Sequence, residues 1–451
     1  MMGSMNRRTF LKKGTAAAGG MIAAPAFIRN LVSDSPNERI NVAVVGISGE
    51  RPRVRGIPRG RGMRHILGYA QCPNVRVTAV CDVDERLFPA AVKETEKLYG
   101  TSPKTVIDYR ELLDDSDIDV VSLATPNHWH ALQTIWACQA GKDVYCEKPV
   151  SHNISEGRKM VQAANKYERV VLAGMTRRFD RAVHKGVQLL HKGKLGTPYM
   201  AKSIIYAYRE SIGKTPDSSI PEGVHWDKFL GPAPYRPFNK NRFLYNWHWM
   251  WDTGNGDIAN LGIYELDVAR WALEKETHPV SVHSSGGVYG RDSDRETPNV
   301  LTTHYEYEDG MLLQSEVRSL YTNYEGGSPR TTIIYTDEGW MEINGGGYRA
   351  YVGREEKPAF SLSADDVPED ETINGWQEFI DCIRYRNIDS FRNNIIEGHR
   401  SAALCHLANI SHRTGRKLQF DPDTEKFVND PEANGYLYRE YRAPYLMPET
   451  I

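Results

Sequence analysis

Apolar residues along this chain fall into two regimes. Between residues 40 and 173 they come as short uninterrupted runs: 40–45 stops at Gly46, and 75–81, 120–124 and 143–146 repeat the pattern. Runs of that length without polar alternation mark strands covered on both faces, as parallel strands are. Stretches of helical spacing such as 85–99 lie between them. Strand and helix therefore alternate, and a doubly wound parallel sheet is predicted over 36–172. Beyond about Ala173 the period drops to two, with alternating segments at 199–208, 280–288, 301–307, 311–318 and 331–335. Glu308-Asp309-Gly310 and Asp337-Glu338-Gly339 are tight-turn sequences that join neighbours as hairpins. An α+β domain with a largely antiparallel sheet is predicted over 173–420. Its last segments, 376–386 and 395–414, return to helical spacing, and a Pro-rich polar tail is expected over 421–451.

Composition narrows the function more than the fold. A chain of 451 residues, 40% hydrophobic and 25% charged, is an ordinary globular protein with room for two or three domains. Lys and Arg number 56 against 58 Asp and Glu, a formal charge of -2, which excludes a global pull toward nucleic acid or acidic membrane. Small-molecule chemistry is left as the default. Six cysteines (Cys72, Cys81, Cys138, Cys146, Cys382, Cys405) are scattered without a CxxC pair, so neither a disulfide framework nor a zinc site is expected.

The first residues carry a targeting pattern. Asn6-Arg7-Arg8-Thr9-Phe10-Leu11-Lys12-Lys13 precedes an apolar run over 14–28 that is rich in Gly, Ala and Pro. The run is short for a bilayer span of about 20 residues, and Ala24-Pro25-Ala26 has the small-x-small form of a cleavage site. A twin-arginine (Tat) signal peptide over 1–26 is predicted, hence export to the periplasm as a folded protein with its cofactor aboard and no membrane anchor after cleavage. Unpaired cysteines agree with folding in a reducing cytosol.

The loop after the first strand reads Gly46-Ile47-Ser48-Gly49, passes Arg51, Arg53, Arg55 and Arg59, and ends in Gly60-Arg61-Gly62-Met63-Arg64-His65 before a helical segment. It holds no strict GxGxxG. Glycines matter here because amides at a helix N-terminus must approach a pyrophosphate closely. Asp82 ends the next strand about 20 positions beyond Gly60 and Gly62, the spacing that bonds adenosine ribose hydroxyls. The count fails from Gly46, so residues 48–59 read as an insertion in the phosphate loop. An acidic side chain at 82 repels a 2′-phosphate, and NAD is expected over NADP. The competing role for Asp82 is a turn or cap before the helix near Asp84.

Two further stretches, Ala124-Thr125-Pro126-Asn127-His128-Trp129-His130 and Tyr145-Cys146-Glu147-Lys148-Pro149, together with Asp82 and a block from Trp247-His248-Trp249 to Trp271, resemble the Gfo/Idh/MocA family of glucose-fructose oxidoreductase and inositol dehydrogenase relatives. The likeness covers nearly the whole chain after the leader. It implies a Rossmann domain followed by an open-faced sheet domain, with the active site in the crevice between them and a carbohydrate as substrate. It also implies that Glu147 meets the nicotinamide ribose, that Lys148 stands beside the reacting carbinol, and that Thr125, Pro126, Asn127 and His130 line the cofactor pocket. Arg177 or Arg178 is expected to close that pocket from the second domain. Self-association through the open sheet is expected.

The sequence departs from the family where its helix usually carries Asp, then His four residues on, then Asp three further on. Here those positions hold Asn260, Tyr264 and Asp267, spaced for one helical face. Asn does not ionise and an unperturbed Tyr has a pKa near 10, so neither replaces imidazole directly. A neighbouring Lys148 would lower the phenol's pKa and let Tyr264 move the proton; the other reading makes Tyr264 a packing residue. His248, Asp252, Asp257 and Glu265 are alternative acid-base carriers, and Tyr245, Trp247, Trp249 and Trp251 are equally natural as a sugar-stacking wall or as core. Three functions compete: an NAD-dependent sugar oxidoreductase, an NAD-dependent glycoside hydrolase or lyase working by transient oxidation and elimination, and a non-catalytic sugar-binding protein. Retained Asp82, Glu147 and Lys148 argue against the last.

Overall fold

A computed structural model describes residues 39–47, 60–290, 292–324, 327–388 and 392–451. The expected leader over 1–26 and the arginines of the 48–59 insertion lie outside the described residues.

Six parallel strands, β1 (Ile40–Val45), β2 (Val75–Cys81), β3 (Lys104–Val106), β4 (Val120–Leu123), β5 (Asp143–Cys146) and β6 (Val171–Ala173), form one sheet in the order β3-β2-β1-β4-β5-β6. Every residue of β4 and of β5 is buried, which is why these strands read as unbroken apolar runs. Helices α1 (Arg61–Tyr69), α2 (Phe88–Tyr99), α3 (Asn127–Gln139) and α4 (Ile154–Lys166) make the crossovers. The strand order reverses between β1 and β4, so the loops leaving their carboxyl ends part and leave a crevice.

A second sheet of ten strands takes in β7 (Pro198–Tyr206), β8 (Ser281–Gly287), β9 (Val300–Glu306), β10 (Leu312–Arg318), β11 (Arg330–Thr336), β12 (Gly339–Asn344), β13 (Gly347–Val352), β14 (Phe360–Ser363), β15 (Leu418–Asp421) and β16 (Lys426–Phe427). Their order is β14-β13-β12-β11-β7-β10-β9-β8-β15-β16, and only β7 and β10 run parallel. Helix α5 (Arg181–His191) packs on β13, α6 (Ile263–Ala272) on β7 and β11, and α8 (Ile395–Thr414) on β8. The turn at 337–339 joins β11 to β12 as a hairpin, whereas strands β13 to β16 are absent from the sequence pattern because they are short and partly exposed.

Two segments cross the boundaries drawn at 172 and 420. Helix α7 (Gly375–Tyr385) returns to the first domain, where Phe379, Ile380, Cys382 and Ile383 join the core cluster of Ile66, Tyr69, Val77, Tyr145 and Leu172. The polar tail is also part of the body. Tyr441 donates to Glu156 Oε1 at 2.6 Å, Arg439 to the His128 carbonyl at 2.7 Å and Lys166 to the Ile451 carbonyl at 2.7 Å. All six cysteines are buried and unpaired. Among the described residues no helix is long and apolar enough to cross a membrane.

Candidate active site

The carboxyl ends of β1, β2, β4 and β5 face the segment leading into α6 across a cleft of about 1030 Å³. Gly46 sits at its floor with φ +85°, and a Cβ there would lie 2.8 Å from the Ala124 carbonyl carbon, so only glycine fits. Gly60 lines the cleft just before α1. Gly62, expected to meet the cofactor, does not line it. A Cβ at Gly62 would lie 2.1 Å from the Gly46 oxygen; this glycine lets α1 close onto the β1 turn. Asp82 lines the cleft and takes part in the turn as well, accepting from the Ile47 amide at 2.6 Å and the Asp84 amide at 3.0 Å.

Thr125, Pro126 and Arg177 also line the cleft, but Asn127 and His130 do not. Asn127 points into the protein and donates to Asn255 Oδ1 at 2.8 Å. His130 is buried, with its ring nitrogens each 2.7 Å from the carbonyls of Pro149 and Thr125, and burial lowers its pKa. It braces the Thr125-Pro126 and Lys148-Pro149 segments from behind. Both residues sit on the first turn of α3, which faces the core, and this overturns their expected place in the pocket.

At the inner end, Glu147 lies 3.1 Å from Arg61 Nε and 3.2 Å from His65 Nε2, whose ring is held by Ser122 Oγ at 2.8 Å. Burial pushes the Glu147 carboxyl up, but Arg61 foremost and then His65 outweigh it and hold the group near about 2. Lys148 donates through Nζ to the Asn260 carbonyl at 2.5 Å and, more loosely, to Asn260 Oδ1 at 3.4 Å. Burial, assisted by the positive charge of Arg61, lowers this ammonium to about 7. Asn260 in turn donates to the Tyr245 hydroxyl at 2.9 Å. Asn260 belongs to a π-helical turn, Ile258–Gly262, ahead of α6. Such turns break the regular carbonyl ladder and recur at functional sites.

Tyr264 lines the cleft, yet its surroundings differ from the expectation. Lys148 Nζ stands over the ring, 5.0 Å from its centroid, while the hydroxyl accepts from Arg61 Nη2 at 2.8 Å. Burial raises the phenol's pKa, with Arg61 opposing, so the phenol stays protonated at neutral pH and Lys148 is the group tuned toward it. Asp267 is corrected outright as a site residue. It lies one turn deeper, fully buried, with Arg178 donating to both oxygens at 2.9 Å and Ser401 at 2.7 Å. Arg178 is therefore structural and Arg177 is the arginine at the cleft.

His248 lines the cleft with its ring stacked on Trp247, centroids 3.6 Å apart, and its Nδ1 donating to the Tyr245 carbonyl at 2.6 Å. Tyr245 and Trp247 face the cavity, whereas Trp249 is buried beneath the guanidiniums of Arg209 and Arg295. The other carboxylates considered as carriers are ion-paired: Asp252 to Arg236, Asp257 to Arg209 and Arg295, Glu265 to Arg330. Arg61, His65 and Arg330 escaped the sequence reading. Arg61 was visible only as the middle residue of Gly60-Arg61-Gly62, and nothing local marks the others.

A model of the oxidoreductase family's NAD-binding Rossmann fold matches residues 40–175, and one of its C-terminal alpha/beta domain matches 188–447. An uncharacterized oxidoreductase, YrbE of Bacillus subtilis (strain 168), is 30% identical over 240 residues, 51% of this chain and 66% of that protein. A glycosyl hydrolase family 109 protein of Shewanella sp. (strain ANA-3) is 30% identical over 177 residues, 37% of this chain and 39% of its own. The alignments thus fall short of both relatives' full lengths. Among solved structures, the WlbA dehydrogenase from Bordetella pertussis in complex with NADH and UDP-GlcNAcA shares the fold at TM-score 0.60 and 17% identity, over 85% of this chain and 99% of that one. The aldose-aldose oxidoreductase from Caulobacter crescentus, complexed with glycerol, does so at TM-score 0.60 and 20% identity, over 85% and 100%.

Proposed function

This chain belongs to the Gfo/Idh/MocA family of oxidoreductases, and from that premise we propose that it moves a hydride between NAD and the carbon that bears a ring hydroxyl of a sugar or glycoside. The observation that carries the reading is Lys148, a half-buried amine near neutral pKa held at the inner end of a cleft whose outer end is a glycine-floored dinucleotide cradle. Gly46, Gly60, Asp82, Thr125, Pro126, Glu147 and Arg177, which line the cleft, would hold NAD. The space a Cβ at Gly46 would fill, and the carboxylate of Asp82 at the cleft wall, suit it. NAD supplies the hydride acceptor. The protein supplies the rest: uncharged Lys148 takes the proton from the sugar hydroxyl at Nζ, and the Asn260 carbonyl aims that amine. Tyr245 and Trp247 offer ring faces for a sugar, and Tyr264 forms the floor under Nζ.

A second reading, glycosidic cleavage by transient oxidation, is favoured by the likeness to the family 109 glycosyl hydrolase. One experiment separates the two. The protein is purified without added cofactor, denatured and assayed for released NAD, then offered a panel of glycosides. Keto-sugar with matching NADH supports net oxidation; released aglycone without net NADH supports cleavage. Neither product from a NAD-loaded protein would leave a sugar-binding role.

We also propose export by the twin-arginine route, supported by Arg7-Arg8 ahead of a short apolar run. Self-association through the open sheet face is proposed as well. Ile204, Tyr206 and Ile333 make an apolar cluster with Tyr335 and Trp340, on the face opposite to Ile205 and Ile334, which belong to the main core.

A further inference from the structure

Ser122 breaks the apolar run of β4, a strand covered on both faces, and His65 and Tyr69 stand one turn apart on α1. All three are wholly buried, and polar groups so placed are kept only where hydrogen bonds satisfy them. They satisfy one another. The Tyr69 hydroxyl lies 3.0 Å from Ser122 Oγ, Ser122 Oγ lies 2.8 Å from His65 Nδ1, and His65 Nε2 lies 3.2 Å from Glu147 Oε1. The last member fixes every hydrogen in this chain. Glu147 is ionised and only accepts, so His65 Nε2 carries a hydrogen. Burial lowers the pKa of the His65 ring, which leaves it uncharged and its Nδ1 bare. Ser122 therefore donates to Nδ1 and, having one hydrogen, accepts from Tyr69. Tyr69 sits in the core of the first domain, so the chain has no outlet to solvent and is a brace rather than a proton path. Rings hold it in place: Tyr145 of β5 stands edge-on to His65 at 4.8 Å and Trp376 of α7 at 5.1 Å, and these two stack on each other at 4.8 Å.

Two donors converge on one oxygen of Glu147. Arg61 Nε meets Oε1 at 3.1 Å and His65 at 3.2 Å, while Oε2 meets only the Lys148 amide, at 3.4 Å, among the described residues. Gly174 closes another side, since a Cβ there would lie 3.2 Å from the Glu147 carboxyl carbon. Glu147 lines the cleft, so Oε2 is the oxygen left for a ligand. A carboxylate that is ionised and immobile beforehand loses little freedom when a ligand hydroxyl donates to it. We propose that His65 is a positioning residue for the cofactor: with Ser122 and Tyr69 behind it, it fixes Glu147 so that Oε2 accepts from a hydroxyl of the nicotinamide ribose. Arg61 shares Oε1, but it also pairs with Tyr264 and its side chain is 31% exposed, so His65 is the immobile donor of the two. The assignment rests on the cleft holding NAD and not on hydride transfer.

The test is calorimetric titration of the full chain, freed of cofactor, with NAD and with ADP, which lacks the nicotinamide riboside; no sugar is added. His65→Leu should weaken NAD by about tenfold, as expected when a hydrogen bond to a charged group is lost. ADP should bind as before, which also shows that the variant is folded, whereas damage to the fold would weaken both. His65→Gln keeps a donor and should restore part of the NAD affinity. On a Glu147→Gln background His65→Leu should cost less than about twofold, because the two residues act through one carboxylate. Ser122→Ala releases the tautomer and should weaken NAD by about threefold with ADP again unchanged; it carries the test if His65→Leu does not fold. NAD affinity untouched by these changes, ADP weakened in parallel with NAD, or losses that multiply in the double variant would each overturn the assignment. Turnover is read separately. A protein that meets every titration yet neither oxidises nor cleaves a glycoside defeats the redox reading alone, and glycoside turnover with NAD affinity untouched in His65→Leu does the reverse.

Discussion

In the proposed reaction Lys148 is a base only because of where it is held. Its ammonium is lowered to about 7 by burial first and by Arg61 next, so the amine is free above that pH and charged below it. Sugar oxidation should therefore lose kcat/KM by about tenfold per unit as pH falls below 7, with a limb near 7. Lys148→Met, which keeps the length and removes the nitrogen, should abolish turnover while NAD still binds. Tyr264→Phe is the complementary measurement. The ring under Nζ stays and only the acceptor for Arg61 is lost, so kcat should fall by less than about tenfold and the limb should stay in place. A general base would instead cost about 10² to 10⁴ in rate, and a loss of that size would return the proton to the phenol. Asp267→Ala belongs to stability. It takes both Asp267 contacts from buried Arg178 and the 3.6 Å pairing from Arg270, leaving Glu397 to serve the two arginines together. Breaking one pair of a buried ionic network costs up to about 3 to 5 kcal/mol, read as a drop in Tm with near-normal turnover in the fraction that remains folded.

At the scale of elements, the site depends on where segments end. Helix α1 can begin beside β1 because Gly62 leaves room for the Gly46 carbonyl, and that brings Arg61, its first residue, over Glu147 and Tyr264. The π-helical turn does the same from the other domain, turning the Asn260 carbonyl toward Lys148. The end of β2 places Asp82 against the glycine turn. Asp82→Ala removes a ribose acceptor, a repulsion against a 2′-phosphate and two loop contacts together. It should weaken NAD binding and narrow the preference over NADP, measured by titrating both nucleotides. Tighter binding of NADP by the wild type would defeat the assignment.

Over the whole molecule, the two domains are interleaved in sequence. Helix α7 completes the hydrophobic layer of the first domain, where Gly68 makes room for Trp376, and the last residues bind back to α4 through Tyr441 and Lys166. The first domain is thus finished only when residues far downstream have been made. A chain whose first half depends on its second suits a route that carries folded protein. Replacing Arg7 and Arg8 together by Lys should leave the protein in the cytosol, checked by fractionation; unaltered export of that variant would sink the proposal.

What the chain's own order determined is what local patterning encodes. Uninterrupted runs against period-two alternation separate a parallel sheet from a mixed one, because burial on two faces or on one is a property of each strand. The glycines, the distance to Asp82 and the Glu147-Lys148-Pro149 stretch point to the cleft for a similar reason: turn geometry and strand ends are short-range. Only the tertiary structure decided the rest. Asn260, Tyr264 and Asp267 share a spacing, yet one holds the Lys148 amine, one lies under it and one pairs with Arg178, since the neighbours that sort them come from other elements. Arg61 lies 203 positions from Tyr264 along the chain. The charge on Lys148 is set by the burial and the arginines around it, and no run of residues near 148 records either.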